Sequence, residues 1–246
     1  MVKPRHRTRD NRKFYTTLGA IAIIGAAMVG YAATRPSGSA ITTVDPNIPV
    51  GPVEGYVMGS PTAPVEIVEY ADFECPGCAQ FAIVTEPQVR ELLIQTGKAR
   101  FRFFDFPLTD IHRNTMSAHL AAACANDQEK FWEMHDRLFQ GQGKWNGQVT
   151  GNPKRIFTGY AREIALDTKA WESCYDDRRH LGRIQASAAA GQRRNVRSTP
   201  TFIVGGRMMA GASYDALKAM VDSATAATPA KAPAATPPAP TSTKRP

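Results

Sequence analysis

The sequence predicts one α/β domain in which strands alternate with helices and a block of extra helices interrupts the alternation. Three observations predict it. A β-branched and aromatic run at residues 65–70 leads directly into helical signals that begin at Pro76. Residues 114–194 then hold a succession of helical patterns. A predicted β-hairpin turns at Gly205-Gly206, and one more helix closes the domain.

Caps and turn residues set the boundaries of these elements. An interruption of the first helix is predicted at 85–87, where a proline removes a backbone donor, and Gly97 predicts its end. Asp167 is a predicted helix N-cap. We place the domain at residues 55–223, with the helical insertion at about 112–194. Strands are predicted at 65–70, 99–106, 201–204 and 207–210. Helices are predicted at 76–97, 114–125 and 128–139, from residue 167, and at 213–223.

The N-terminal segment predicts membrane targeting. Residues 14–34 are 21 residues without a charge, which as a helix would span about 30 Å, the thickness of a bilayer core. We predict a single transmembrane signal anchor there. A cleavable signal peptide, cut near Gly30-Tyr31-Ala32, is the competing interpretation. In both, the basic residues 1–13 stay in the cytoplasm, and the remaining chain lies on the periplasmic or extracellular side of the cell membrane.

The two ends also carry the chain's net charge of +8. Residues 1–13 hold six basic side chains and one acid, and residues 224–246 hold three and none, so the body between them is neutral. Composition therefore gives no electrostatic case for binding nucleic acid. Recurring prolines at 35–54 predict a linker, and the Pro/Ala-rich residues 224–246 predict a disordered tail.

The chemistry of the sequence is concentrated in Cys75-Pro-Gly-Cys78. The spacing puts both sulfurs on one helical face within disulfide reach. Cys75 falls at the helix N-terminus, where unpaired amides favour a thiolate. A zinc ribbon would need a second Cys-x-x-Cys pair, and Ala79 excludes the Cys-x-x-Cys-His of a c-type haem. A structural disulfide would constrain little, so redox chemistry is the favoured interpretation.

Two separated stretches, Ala63–Cys78 and Arg197–Gly206, together resemble the DsbA-like branch of the thioredoxin superfamily. The resemblance covers residues of about 54–223. It implies a thioredoxin fold with a central mixed sheet and a helical insertion. It also implies an enzyme that exchanges thiols and disulfides without a cofactor or metal, on reduced exported proteins. A quinone-linked partner in the inner membrane would reoxidise it.

The resemblance also implies a role for individual residues. Cys75 matches the nucleophile that forms a mixed disulfide with the substrate, and Cys78 matches the resolving thiol. Pro200 matches a cis-proline beside the pair, and the backbone of Thr199 would pair with an extended substrate segment. An ordinary trans-proline at a strand start is the alternative for Pro200.

Glu69 is a fifth candidate, because it interrupts an apolar strand six residues before Cys75. Burial would raise the pKa of its carboxyl group and let it relay a proton for Cys78. The alternative is a solvent-facing strand residue. Alternation places Glu66 and Glu69 on opposite faces, so both cannot face solvent on a one-sided sheet.

Cys124 and Cys174 stand on predicted helices of the insertion. Outside the cytoplasm, two cysteines left over after the active pair are expected to be bonded, and some DsbA-like proteins carry a second disulfide in this region. We therefore predict a structural disulfide between them, with two buried free thiols as the alternative.

Whether the cysteine pair oxidises or reduces its substrates depends on its reduction potential. Strongly oxidising members of this branch have His between the cysteines, whereas this chain has Pro-Gly, and Glu74 adds a negative charge beside Cys75. Both features predict a less oxidising pair than the extreme of about −120 mV. We expect dithiol oxidation, with a reductase or isomerase as the first alternative and a module that binds a soft metal such as copper as the second.

Overall fold

The computed structural model describes residues 12–34, 41–43 and 53–227. The predicted basic flank up to residue 11, most of the predicted linker, and the predicted tail from residue 228 lie outside the described residues. Strands and helices occupy the following ranges: α1 Arg12–Thr34, β1 Thr42–Thr43, β2 Tyr56–Met58, β3 Val65–Ala71, α2 Pro76–Gln80, α3 Glu86–Val89, β4 Ala99–Asp105, α4 Thr115–Asn126, α5 Phe131–Gln140, α6 Gln142–Trp145, α7 Lys154–Glu163, α8 Thr168–Asp176, α9 Leu181–Arg193, β5 Thr201–Val204, β6 Arg207–Ala210 and α10 Tyr214–Ala227.

The N-terminal helix α1 covers the predicted transmembrane segment at 14–34. However, no helix in the part of the chain described by the structure is long and apolar enough to cross a membrane.

The sheet has six strands in the order β1-β6-β5-β3-β4-β2. Strands β3 and β4 run parallel, whereas β5 pairs antiparallel with β3 and with β6. This is the mixed sheet that the resemblance implied. The hairpin turn at Gly205-Gly206 has φ values of 55° and 76°, the left-handed backbone that a tight hairpin requires and glycine supplies.

Two strands were missed by the sequence patterns. Strand β2 pairs antiparallel with β4 at the edge of the sheet, and the two-residue β1 pairs with β6 inside the segment predicted as a linker. Both are too short for an alternating pattern to be visible. At the other end, α10 continues to Ala227, four residues into the segment predicted as a tail.

The interruption predicted at 85–87 has a specific form. Residues Phe81–Thr85 make a π-helical turn directly before α3, and Arg90–Ile94 make a second one directly after it. Pro87 has no amide to donate to the preceding turn, so a wider turn there allows the chain to stay helical. The segment ends at Gly97, where φ is +72°.

Helices cover both faces of the sheet. On one face of β3, Ile67 belongs to a core with α3 and α10. On the other, Tyr70 belongs to a core that includes Phe106 and Val196. Helix α9 comes very close on this second face: a Cβ atom at Gly191 would lie 2.8 Å from the Phe106 ring and 2.9 Å from the Tyr70 ring. Only glycine allows this approach.

The insertion comprises α4 to α9 and packs over the start of α2. Its aromatic core includes Trp145, Phe157 and Trp171, all fully buried. A disulfide joins Cys124 on α4 to Cys174 on α8, 50 positions apart in the sequence, with a Cα–Cα distance of 5.8 Å. This crosslink ties the first and fifth helices of the insertion together.

Candidate active site

The candidate site lies where β3 ends and α2 begins. Cys75 is the N-cap of α2, with an extended backbone, and Pro76 occupies the first helical position, where no amide is needed. The carbonyl oxygen of Cys75 accepts a bond from the amide of Ala79 at 3.1 Å. The Cys75 side chain therefore stands at the amide-rich end of the helix, as the spacing predicts.

The two cysteines are unequal. Both are free thiols in this structure, but Cys75 is 9% exposed whereas Cys78 is fully enclosed. The amide of Asp72 points at the Cys78 sulfur from 3.5 Å, and the Cys75 thiol donates to the carbonyl oxygen of Thr199 at 3.4 Å. Of the two cysteines, Cys75 is the one with exposed surface.

The electrostatics of the pair match this geometry. A hydrogen bond from Cys78 is the main cause that lowers the pKa of Cys75 to about 5; burial opposes it, and the backbone amides of Gly77 and Cys78 add to it. Burial raises the pKa of Cys78 well above the ordinary value for a thiol, and the neighbouring Cys75 and Glu69 raise it further. At neutral pH the pair therefore holds an outer thiolate and an inner thiol.

The loop before β5 lies against this pair. The Thr199-Pro200 peptide bond is cis. A Cβ atom at Gly77 would lie 3.3 Å from Pro200 Cδ, so the loop rests directly on the first turn of α2. The carbonyl oxygen of Pro200 accepts the Gly211 amide at 2.7 Å, which anchors the loop to the end of β6. Thr199 and Pro200 are thus brought to Cys75 from 124 residues away.

Glu69 is 1% exposed. It lies on β3 in register with Phe103 on one side and Phe202 on the other, and its Oε2 has no hydrogen-bond partner among the described residues. Burial raises the pKa of this carboxyl group well above its usual range, and the charges of Glu86 and Cys75 add to the rise. Glu66, by contrast, is half-buried and ion-paired with Arg100 at 2.5 Å.

The structure corrects the interpretation of Glu74 as a charge that acts on Cys75. Its charge was expected to disfavour the Cys75 thiolate, but its carboxylate is buried and bound elsewhere. One oxygen accepts the Asn114 amide at 2.6 Å, and the other accepts the Gly147 amide at 2.5 Å. Two backbone donors compensate the negative charge and tie the active-site turn to the insertion.

The sequence analysis missed other residues that line the site. Gln142 donates to the carbonyl oxygens of Phe73 and Cys75, at 2.8 and 3.0 Å. Asp72 is fully buried beside the pair and binds the Nδ1 atom of His112 at 2.8 Å. His112 belongs to none of the motifs described in the sequence analysis. An acidic residue three positions before Cys75 is the signal that could have identified Asp72.

Among the residues that the structure describes, two groups of side chains have donor atoms close enough to hold a metal ion. In the first, the sulfurs of Cys124 and Cys174 are committed to the disulfide. The second comprises Glu86, His135 and Asp136. There the guanidinium of Arg90 binds Glu86 at 2.7 Å and Asp136 at 2.6 Å, so a cation already occupies the place where a metal ion would sit.

Comparisons with known proteins point to one family. The family model described as "Thioredoxin" matches residues 52–223. The chain is 40% identical over 186 residues to the Na(+)/H(+) antiporter NhaA 1 of Salinispora arenicola, a match that covers 75% of this chain and 27% of the antiporter. It is 24% identical over 165 residues to the probable disulfide bond formation protein D of Bacillus anthracis, covering 67% of this chain and 76% of that protein.

Solved structures agree with this assignment. Oxidised BdbD of Bacillus subtilis matches with a TM-score of 0.63 at 21% identity, over 76% of this chain and 98% of that one. A thioredoxin-like oxidoreductase from Silicibacter pomeroyi matches with a TM-score of 0.58 at 26% identity, over 75% and 95%. The chain spans about a quarter of the length of the antiporters that it matches. Because the family model covers more than half of it, the chain belongs to the thioredoxin family.

Proposed function

We propose that the chain is a DsbA-like protein thiol–disulfide oxidoreductase that acts chiefly as an oxidase, forming disulfides in exported proteins. The proposal rests on the difference in exposure and pKa between the two cysteines. Cys75 is reachable and has a pKa of about 5, whereas Cys78 is enclosed and holds its proton. A low-pKa sulfur is a good leaving group, so a mixed disulfide at Cys75 breaks readily in favour of a substrate disulfide.

The oxidising cycle has two exchanges. A substrate thiolate attacks the Cys75 sulfur of the oxidised pair; the bond to Cys78 breaks, and Cys78 takes a proton. A second substrate thiolate then attacks the substrate sulfur of the mixed disulfide, and Cys75 leaves as a thiolate. The substrate loses two electrons and the pair gains them. In the reverse direction, Cys78 resolves the mixed disulfide.

Glu69 is the proposed proton relay for Cys78. Burial raises its pKa and favours the protonated carboxyl group, which can give a proton when the Cys78 sulfur leaves. The influence of Glu69 on the pKa of Cys78 places the two groups within electrostatic reach of each other. Both are enclosed by the core, where bulk water is excluded.

Thr199 and Pro200 form the proposed substrate platform. The Thr199 carbonyl oxygen lies at the Cys75 sulfur, so an extended substrate segment that pairs with this backbone would present its cysteine to Cys75. Holding a soft metal would need the two sulfurs but not this loop. The loop therefore favours thiol exchange over the copper-binding alternative.

The proposed setting is the periplasmic or extracellular side of the cell membrane. The Cys124–Cys174 disulfide supports it, because such bonds persist in oxidising compartments. Each turnover leaves a reduced pair, so the oxidase needs an electron acceptor, for which we propose a quinone-linked membrane protein. The substrates would be reduced exported proteins.

The equilibrium of the pair with glutathione tests the direction. We expect a reduction potential between thioredoxin's value of about −270 mV and the extreme of about −120 mV. The reason is that the Cys75 pKa of about 5 lies between the values of about 7 and about 3.5 that accompany those potentials. A measured potential near −270 mV would overturn the oxidase assignment in favour of a reductase.

A further inference from the structure

A buried carboxylate and a histidine stand beside the cysteine pair without a part in the exchange chemistry described above. Asp72 accepts three hydrogen bonds besides that of His112, from the amide of Glu74 at 2.7 Å, the amide of Leu108 at 2.7 Å and the hydroxyl of Thr115 at 2.5 Å. A carboxylate with so many donors is a fixed negative charge.

The backbone of Asp72 holds the pair itself. Its carbonyl oxygen accepts the Cys75 amide at 3.0 Å, and its amide points at the Cys78 sulfur. Asp72 therefore fixes His112 through its side chain and both cysteines through its main chain. Little freedom is left for His112 to move relative to the active-site turn.

His112 also shares a cavity wall with the residues that flank Cys75. The cavity, of about 230 Å³, is lined by Glu74, Pro76, His112 and Arg113 among other residues. The His112 side chain is 15% exposed, so it can exchange protons with solvent. A charge on its ring would lie at the rim of the site that substrates approach.

The bond to Asp72 determines how the ring titrates. A carboxylate only accepts, so Nδ1 carries a hydrogen and Nε2 is the nitrogen that gains or loses a proton. The hydrogen bond to Asp72 raises the pKa of His112; partial burial opposes the rise, and the charges of Asp72, Cys75 and Glu74 add to it. These contacts favour the imidazolium over the neutral ring.

We propose that His112, held in place by Asp72, is a positioning residue whose positive charge favours the thiolate form of Cys75 and makes the pair a stronger oxidant. This inference rests on the proposed function. The interaction between two charges is mutual, so a thiolate that favours the imidazolium is itself favoured by it. The thiolate exists only in the reduced pair, so the histidine stabilises the reduced form and strengthens the oxidant.

The other charges that face His112 do not remove this effect. Asp72 is buried and accepts its hydrogen bonds from groups outside the cysteine pair, and Glu74 is bound by two backbone amides. Arg113 is the one further cation on the same cavity wall among the described residues. None of these charges appears or disappears when the pair changes its redox state, whereas the thiolate does.

The first test uses the unmodified protein. The pKa of His112 is measured from its ring proton NMR shifts in the oxidised and in the reduced protein. We expect the pKa to be higher by about 0.5 or more in the reduced protein, because only that form has a thiolate nearby. Equal pKa values in the two forms would overturn the proposal, whatever the protein's activity.

The second test uses variants. His112→Gln keeps a donor for Asp72 but has no charge, His112→Lys restores a charge, and His180→Gln is the control, since His180 pairs with Asp127 elsewhere. We expect His112→Gln to raise the pKa of Cys75, read from thiolate absorbance, and to shift the glutathione equilibrium about three- to tenfold towards the oxidised pair. His112→Lys should recover part of both changes.

The following outcomes would contradict the role proposed for His112 or the proposed function. A purely structural His112 would leave the pKa of Cys75 and the glutathione equilibrium unchanged in His112→Gln, or would be mimicked by His180→Gln, and either result contradicts the proposal. If the wild-type protein exchanges no disulfides, the proposed function fails. The NMR comparison of the two redox states still decides the role of His112 in that case.

Discussion

At the scale of single residues, the site gives two thiols of the same chemical type different pKa values. Cys75 receives a hydrogen bond from Cys78 and lies at the end of a helix, whereas Cys78 is enclosed beside Glu69. The Cys75-x-x-Cys78 spacing was enough to predict the pair and its outer thiolate. It could not reveal Asp72 or His112, because their contact joins residues 40 positions apart.

The proton relay leads to a prediction about Glu69. In Glu69→Gln, the step that makes or breaks the bond to Cys78 should slow by about 100-fold at pH 7, the lower end of typical general acid–base contributions. In the reducing direction, the attack of the Cys75 thiolate on a substrate disulfide should change little, whereas the later attack by Cys78 should slow. Stopped-flow single-turnover kinetics of the reduced variant with a peptide disulfide would then show the mixed disulfide accumulating.

Glu66→Gln is the matched control for that experiment. It makes the same chemical change on the same strand, but on a half-buried side chain that is ion-paired with Arg100. We expect wild-type kinetics from it. Resolution of the mixed disulfide at the wild-type rate in Glu69→Gln would remove Glu69 from the mechanism.

At the scale of elements, the local signals located long strands and helices and missed short or irregular ones. Strand β3 and the Gly205-Gly206 hairpin were predicted from pattern, because each carries several residues of consistent type. Strand β1, with two residues, carries no such pattern. The tight contact of α9 with the sheet was also invisible, since nothing local distinguishes Gly191 from any other helical glycine.

Helix α9 offers a test of that contact. Gly191→Ala would place a methyl group 2.8 Å from the Phe106 ring, so the helix or the ring must shift, and we expect a loss of about 1–3 kcal/mol in the free energy of unfolding. Gly182→Ala on the same helix meets nothing within 4 Å and should leave stability unchanged or slightly higher. Urea unfolding measures both. Equal effects of the two substitutions would contradict the packing described for α9.

At the scale of the whole molecule, the thiolate couples stability to pH. The pKa of Cys75 in the folded protein is about 5, below the ordinary thiol value of 9.0. Between these values the unfolded chain binds the proton and the folded protein does not, so the contribution of Cys75 to stability rises with pH. It is complete above about pH 9 and is lost as the pH falls through 5.

The prediction compares the reduced wild-type protein with reduced Cys75→Ser. The difference between their free energies of unfolding should grow in favour of the wild type from pH 5 to pH 8, by at most about 1.4 kcal/mol per pH unit. Groups that titrate in both proteins cancel in this difference. Urea denaturation at several pH values measures it, and a difference that stays constant with pH would show that Cys75 has an ordinary pKa.

The prediction of the fold was most specific where two motifs far apart in the sequence both indicated it. Cys75-x-x-Cys78 and Thr199-Pro200 are far apart in the chain, and the fold brings them together at 3.4 Å. The membrane span at 14–34 was predicted from length and lack of charge alone. The structure describes a helix there, and no helix among the described residues is long and apolar enough to cross a membrane.

The central claim is that Cys75 is the sulfur that exchanges with substrates and Cys78 is the one that resolves. Its most direct test is to react the Cys78→Ser variant with a cysteine-containing peptide disulfide and to map the product by mass spectrometry. We expect a stable mixed disulfide between the peptide and Cys75, and no exchange in Cys75→Ser. A crosslink at any other cysteine, or full exchange activity in Cys75→Ser, would contradict the mechanism.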